Sequence, residues 1–264
     1  MAFARINDIV LHYDLAGPSD GPALVFVNSL GTDARIWDET VRQFTGRYRC
    51  LTYDKRGHGL SDTPTGDYSL DDHLDDLEGL LDRTGCRRAV LVGVSVGGLI
   101  AQGLALRSPE RLAGLVLCDT ASRIGDTRFW DARMSTVTSG GMASIADGIM
   151  ERWFSPGFRQ ARPDDMAGWR NLLLRTDPRG YVGTCATLRD TDLTGAVGNI
   201  DLATLVIAGD ADLATPLEVV RACADAIPGA RFEVMAGVGH IPSIEQPDAL
   251  AAEISRFLKE LGHG

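Results

Sequence analysis

The sequence predicts an α/β fold: a mostly parallel, doubly wound sheet with an antiparallel start and a long helical insertion. Three observations carry this. Short runs at 23–28, 49–53, 88–94, 112–118, 203–209 and 231–235 are predominantly apolar, as strands covered on both faces must be. The stretches between them are long enough for the crossover helices that parallel neighbours require. One gap, from Cys118 to Ala203, contains no strand-like run at all.

In chain order, residues 2–6 and 9–15 flank Asn7-Asp8 and read as a β-hairpin. Parallel strands and helices follow. The run at 88–94 passes into "GGLIAQGLALR", a helix that should end near Ser108-Pro109. Within the gap, Met142, Ile145, Ala146, Ile149 and Trp153 fall on one helical face. Pro163-Asp164-Asp165 opens a further helix through Trp169 and Leu172, with proline and acids in its first turn. Such an insertion is most simply a lid over the carboxyl ends of the strands, where open α/β sheets bind ligands. The expected division is a core of residues 1–120 and 197–264 with a cap of residues 121–196.

The formal charge of −10 argues against nucleic acid or an anionic membrane as partner. The start, "MAFARINDIVLHYDLAGP", lacks the basic-then-apolar pattern of a signal peptide, and no apolar run approaches membrane-spanning length. Cys50, Cys86, Cys118, Cys185 and Cys223 are odd in number and form no C-x-x-C, so neither a disulfide framework nor a zinc site is signalled. A cytoplasmic location and a small-molecule substrate are the expectations.

Gly93-Val94-Ser95-Val96-Gly97 satisfies G-x-S-x-G in the context that motif needs, with an apolar strand before it and a helix after it. A strand turning sharply into a helix crowds the positions two before and two after the serine, which explains the glycines. Neither phosphate-loop pattern fits: there is no G-K-[ST], and glycines 93, 97 and 98 do not make G-x-G-x-x-G. Ser95 is therefore the candidate nucleophile. Its base should be His240, in "GVGHIPSIEQP" after the last strand, in keeping with the chain order Ser…Asp…His. Of the other histidines, His12 lies in the hairpin, His58 comes too early and suits a structural loop role, His73 sits in the acidic "DDHLDDLEG" and should be solvated, and His263 is in the tail. Asp212 is favoured as the orienting acid, with Asp210 and Asp119 as rivals by position. The backbone amides of Val96 and of Leu30, in "FVNSLGTD", are the candidate oxyanion donors.

With these residues assembled, the chain resembles the α/β-hydrolase superfamily over essentially its full length, and within it the 3-oxoadipate enol-lactonases. The stretches "FVNSLGTDARIWD", "YDKRGHGLSDTP", "GVSVGGLIAQ", "LVLCDTASRIG", "MERWFSPGFR", "LRDTDL" and "VIAGDADLATP" carry the likeness. The resemblance implies the α/β-hydrolase fold, a Ser95–His240–Asp212 triad, Leu30 and Val96 as oxyanion donors, and no cofactor. The chain departs from the subgroup at Asp119, where many members carry Asn, at Lys55, where they carry Thr, and at Val96, where Met is usual. The expected chemistry is opening of a small lactone or ester, foremost 3-oxoadipate enol-lactone. A carboxylesterase, a carbon–carbon bond hydrolase or a perhydrolase with the same triad is the alternative, and a non-catalytic binder a third. Residues 121–196 hold ten arginines against nine acids, leaving −11 for the remainder. That makes the cap the place for a substrate carboxylate, with Arg133, Arg152 and Trp153 as candidates. The bland alternative puts Trp153 in the cap's core and Arg152 on a solvated face.

Overall fold

Asn7 and Asp8 both take positive φ, 46° and 68°, as the two central residues of a type I′ hairpin turn must. They join β1 (Ala2–Ile6) to β2 (Ile9–Ala16), which pairs antiparallel with β1 on one side and β4 on the other. The remaining strands are β3 (Ala23–Val27), β4 (Arg49–Tyr53), β5 (Ala89–Val94), β6 (Leu112–Cys118), β7 (Thr204–Gly209) and β8 (Arg231–Met235). All later pairings are parallel, in the order β1-β2-β4-β3-β5-β6-β7-β8. The computed structural model describes residues 1–262; His263 lies outside them. Every residue of β3, β5 and β7 is buried, which is why these runs are continuously apolar rather than alternating.

Helices α1 (Asp38–Arg42), α2 (Leu70–Thr84) and α3 (Val96–Arg107) precede β6, and α9 (Leu217–Ala226), α10 (Pro242–Glu245) and α11 (Pro247–Glu260) follow β7. Five more fill the strandless gap: α4 (Thr127–Gly140), α5 (Ala146–Trp153), α6 (Pro156–Ala161), α7 (Pro163–Leu174) and α8 (Pro178–Asp190). The helix expected from Met142 begins one turn later than its periodicity suggests. Gly141, at φ 66°, closes α4 by donating its N–H to the Val137 carbonyl, and a 3-10 turn over Met142–Ser144 intervenes. The five apolar residues of that stretch are nevertheless all buried. The inserted helices are stitched to the sheet side through Tyr68, whose N–H donates to the Gly183 carbonyl and whose own carbonyl accepts from Thr187 Oγ1. Leu193 N–H donates to the Ser122 carbonyl at 2.8 Å where the segment leaves and rejoins.

One histidine corrects the sequence reading. His73 is not solvated but buried, although acids surround it in sequence. Its helix position places it on the face of Leu77 and Leu80, four and seven residues on, and its ring meets Tyr68 edge-on at 6.1 Å. Burial drives its pKa down to about 3, so it is neutral there. Among the described residues, no helix is long and apolar enough to cross a membrane.

Candidate active site

Ser95 stands between β5 and α3 at φ 57°, ψ −122°, a conformation that costs a non-glycine residue of the order of 1–3 kcal/mol. The surroundings hold it there. Its N–H donates to the Cys118 carbonyl at 3.0 Å, and its carbonyl accepts from Leu99 N–H at 3.1 Å and Thr120 Oγ1 at 2.6 Å. The flanking glycines are steric necessities: a Cβ on Gly93 would lie 2.4 Å from the Gly97 carbonyl oxygen, and one on Gly97 would lie 2.1 Å from that of Val27. Val96 is the first residue of α3, so its amide belongs to the set of helix N-terminal donors without an intrahelical acceptor.

His240 follows β8 and is anchored by its own N–H, which donates to the Trp153 carbonyl at 2.8 Å. Its Nδ1 lies 2.8 Å from Asp212 Oδ2. Asp212, on the loop after β7, is fully supplied with donors. Oδ1 accepts from the N–H groups of Ala214 (2.6 Å) and Thr215 (3.2 Å), and Thr215 Oγ1 stands 2.6 Å from Oδ2. Both side chains are almost wholly buried. A carboxylate so solvated by the protein favours the Nδ1–H tautomer, leaving Nε2 free as a base. Ser95 and His240 line one cavity of about 140 Å³, although no hydrogen bond joins them among the described residues.

The two rival acids sit elsewhere. Asp210 is exposed and accepts from Gly237 N–H at 2.6 Å, tying the β7 and β8 loops together. Asp119 directly follows β6, at φ 45°, and is completely buried. Its Oδ1 accepts from Gly209 N–H at 2.7 Å while Oδ2 has no partner. Burial, and then the neighbouring Asp212 charge, push its carboxyl well above the usual range, which favours its protonated form.

Leu30 lines the same cavity, on the loop after β3. Among the described residues no protein group accepts its amide hydrogen. From the inserted helices come Arg133, Arg152 and Trp153, all three at the cavity wall. Trp153 is also part of the core, and Arg152 is half-buried rather than solvated. Both arginines lack a carboxylate within ion-pair distance among the described residues. Arg133 Nη1 donates to Tyr181 Oη at 3.2 Å, and Arg152 Nη2 donates to the Ala214 carbonyl at 3.4 Å. Their guanidinium carbons lie 5.3 and 5.6 Å from the centroid of the Phe129 ring. Burial and then the Arg133 charge lower the pKa of Arg152. Phe129 and Tyr181 were not singled out in the sequence. Phe129 precedes Arg133 by one helical turn, a legible spacing, whereas nothing local to Tyr181 marks it.

A strained serine at a strand-to-helix turn, with a carboxylate-held histidine over the same cavity, defines a class, and the comparisons agree with it. Residues 24–253 match the model of the alpha/beta hydrolase family, and the chain belongs to that family. It is similar to 3-oxoadipate enol-lactonase 2 of Acinetobacter baylyi, 34% identical over 96% of this chain and 94% of that one. It is 32% identical to 3-oxoadipate enol-lactonase 1 of the same organism, over 95% of this chain and 94% of the other. Among solved structures it resembles the enol-lactonase of Burkholderia xenovorans LB400, with a TM-score of 0.95 and 35% identity, covering 98% of this chain and all of that one. It is thus an enzyme of the hydrolase family with enol-lactonases among its relatives.

Proposed function

We propose that this chain is a serine lactonase that opens a small anionic lactone, with 3-oxoadipate enol-lactone, the substrate named in its relatives, yielding 3-oxoadipate in the degradation of aromatic compounds. The observation that carries the reading is the pair of arginines, Arg133 and Arg152, free of carboxylate partners on the wall of the cavity that holds Ser95 and His240. Two half-buried guanidiniums beside a nucleophile suit a substrate that brings its own carboxylate. In this reading residues 121–196 act as a cap that reads the substrate, set into a core of 1–120 and 197–264. The five cysteines are free and buried, in keeping with a cytoplasmic enzyme.

His240 Nε2 takes the proton of Ser95 Oγ as that oxygen bonds to the lactone carbonyl carbon. Negative charge gathers on the carbonyl oxygen, which the Leu30 and Val96 amides receive; each such donor is worth roughly 3–4 kcal/mol. Collapse breaks the ring C–O bond, and the imidazolium returns its proton to the departing enolate oxygen. The enol becomes the ketone while still tethered to the acyl-enzyme. Water, deprotonated by His240, then attacks the ester, and Ser95 leaves with the proton. Asp212 stabilises the imidazolium in both halves. Every proton carrier is a side chain of this chain, so the cycle draws on no metal or organic cofactor.

The test is spectrophotometric loss of 3-oxoadipate enol-lactone set beside hydrolysis of simple aryl esters. A kcat/KM for the enol-lactone exceeding that for the esters by a hundredfold or more is the expected result. Preference for the aryl esters would replace the lactonase reading with that of a carboxylesterase.

A further inference from the structure

The loop that offers Leu30 to the cavity is held from below by a buried ammonium. Ser29 C=O and Leu30 N–H belong to one peptide unit, whose two ends point in opposite directions because the unit is planar and trans. The Ser29 carbonyl oxygen accepts from Lys55 Nζ at 2.5 Å, from Thr32 Oγ1 at 2.9 Å and from Thr32 N–H at 3.3 Å. The neighbouring amide is turned away: Gly31 N–H donates to His58 Nε2 at 2.9 Å, and His58 Nδ1 lies 3.2 Å from the Arg56 carbonyl. Thr32 C=O accepts from Asn28 Nδ2 at 2.6 Å and lies 3.5 Å from the same Lys55 Nζ.

Lys55 is 1% exposed and makes no ion pair among the described residues. The chain has only two lysines beside its many arginines, and the other is Lys259 near the end. A compact ammonium rather than a planar fork sits beneath the Ser29 carbonyl, with the Thr32 carbonyl at the limit of its reach. A cation hydrogen-bonded to the oxygen of an amide draws electron density from its N–H and strengthens that group as a donor.

We propose that Lys55 is a positioning residue for the oxyanion hole, its ammonium fixing the Ser29 carbonyl so that the Leu30 amide is aimed at, and polarised toward, the oxygen that becomes negative in the transition state. This rests on the reading of Ser95 as nucleophile and Leu30 as oxyanion donor. The buried ammonium makes no ion pair in the resting enzyme among the described residues, the Asp54 and Asp33 carboxylates only partly offsetting its burial, and it gains a further counter-charge across one peptide unit as the oxyanion forms. Such an interaction belongs to the transition state and so acts on kcat rather than KM.

The charged and titratable neighbours define the pH dependence. Burial pulls the Lys55 ammonium down to about 7, with the Asp54 and Asp33 carboxylates partly opposing this. His58 and His73 also face it, and burial keeps both neutral. Lys55 is thus charged below about pH 7 and loses its proton as the pH rises through that value.

The decisive variants are Lys55→Met, which keeps the length and removes the charge, and Lys55→Gln, which keeps an N–H donor without charge. With the enol-lactone and with an aryl ester as probes, Lys55→Met lowers kcat about 10- to 100-fold, less than removal of an oxyanion donor itself, with KM within about twofold. Lys55→Gln falls between it and the wild type. The wild type loses kcat as the pH rises through about 7, and neither variant does. Thermal melting establishes that each variant is folded, and should Lys55→Met fail to fold, Lys55→Gln decides. Wild-type kcat and pH profile in either folded variant would overturn the proposal. Ser95→Ala and fluorophosphonate labelling, run in parallel, separate the two levels. Activity or labelling retained in Ser95→Ala overturns the serine reading and the Lys55 role with it, whereas a dead Ser95→Ala beside an unaffected Lys55→Met overturns the Lys55 role alone.

Discussion

The two walls of the cavity are built on different principles. On the sheet side, position is imposed by backbone: Ser95 is forced to positive φ, Gly93 and Gly97 are pressed against carbonyl oxygens, and Lys55 pins one peptide unit. On the cap side, position is imposed by long side chains. Arg133 and Arg152 reach the cavity from two different helices and meet over the Phe129 ring. A wall set by backbone cannot be changed at one residue without moving its neighbours, whereas a wall set by side chains can be altered one residue at a time. On the proposed function the first wall carries the chemistry and the second the selectivity, so each wall can be attacked alone.

The largest effect should come from the acid behind the base. Asp212→Asn is expected to lower kcat about 10⁴-fold through loss of the imidazole tautomer and the imidazolium's counter-charge, with the melting temperature close to wild type. Full activity in Asp212→Asn would remove the catalytic meaning of the 2.8 Å contact with His240. Next comes the backbone itself. Gly97→Ala drives a methyl group to 2.1 Å from the Val27 carbonyl oxygen and should cost about 3 kcal/mol or more in urea unfolding, with kcat falling alongside. A stable, active Gly97→Ala protein would break the distinction between the two walls.

The cap should answer differently. Arg152→Ala and Arg133→Ala are each expected to raise KM for the anionic lactone about tenfold or more, while leaving an uncharged aryl ester nearly unaffected and the fold intact. Unchanged KM for the lactone in both variants would take substrate reading away from this wall. The smallest effect concerns Asp119, whose carboxyl burial shifts upward. Its folded-state pKa lies above the unfolded one, so the folded protein carries an extra proton in that interval. Its contribution is full at low pH and is lost as the pH rises through the raised value. Asp119→Asn, able to keep the Gly209 hydrogen bond and to donate toward Asp212, should melt a few degrees higher than wild type at pH 8, roughly 2–4 °C per kcal/mol gained, and gain less at pH 5. An equal gain at both values would show that the carboxyl's ionisation is not the cause.

The sheet wall was the more legible of the two in the sequence, for the same physical reason that it is rigid. Close backbone approach demands glycine and full burial demands unbroken apolar runs, and both are local marks. Thus the six parallel strands and the spacing around Ser95 could be read directly. His73 misled because sequence neighbours advertise charge, while burial depends on the helical face shared with Leu77 and Leu80. The hold of Lys55 on Ser29 joins residues 26 apart, and the path of α4 and α8 that brings Arg133 to Tyr181 spans 48. No local pattern records such meetings, because they are set by how the chain returns on itself.

The proposed base and the proposed cap share one fastening. His240 N–H is held by the Trp153 carbonyl, and the half-buried Glu245 carboxylate accepts from Ser155 N–H, Ser155 Oγ and Gly239 N–H. Whatever shifts the end of α5 must therefore shift the histidine as well. For anyone exchanging caps between relatives, the natural unit of transplantation is not 121–196 alone but that segment together with the 239–245 loop. A foreign segment grafted without its matching latch would arrive with its pocket intact and leave His240 adrift.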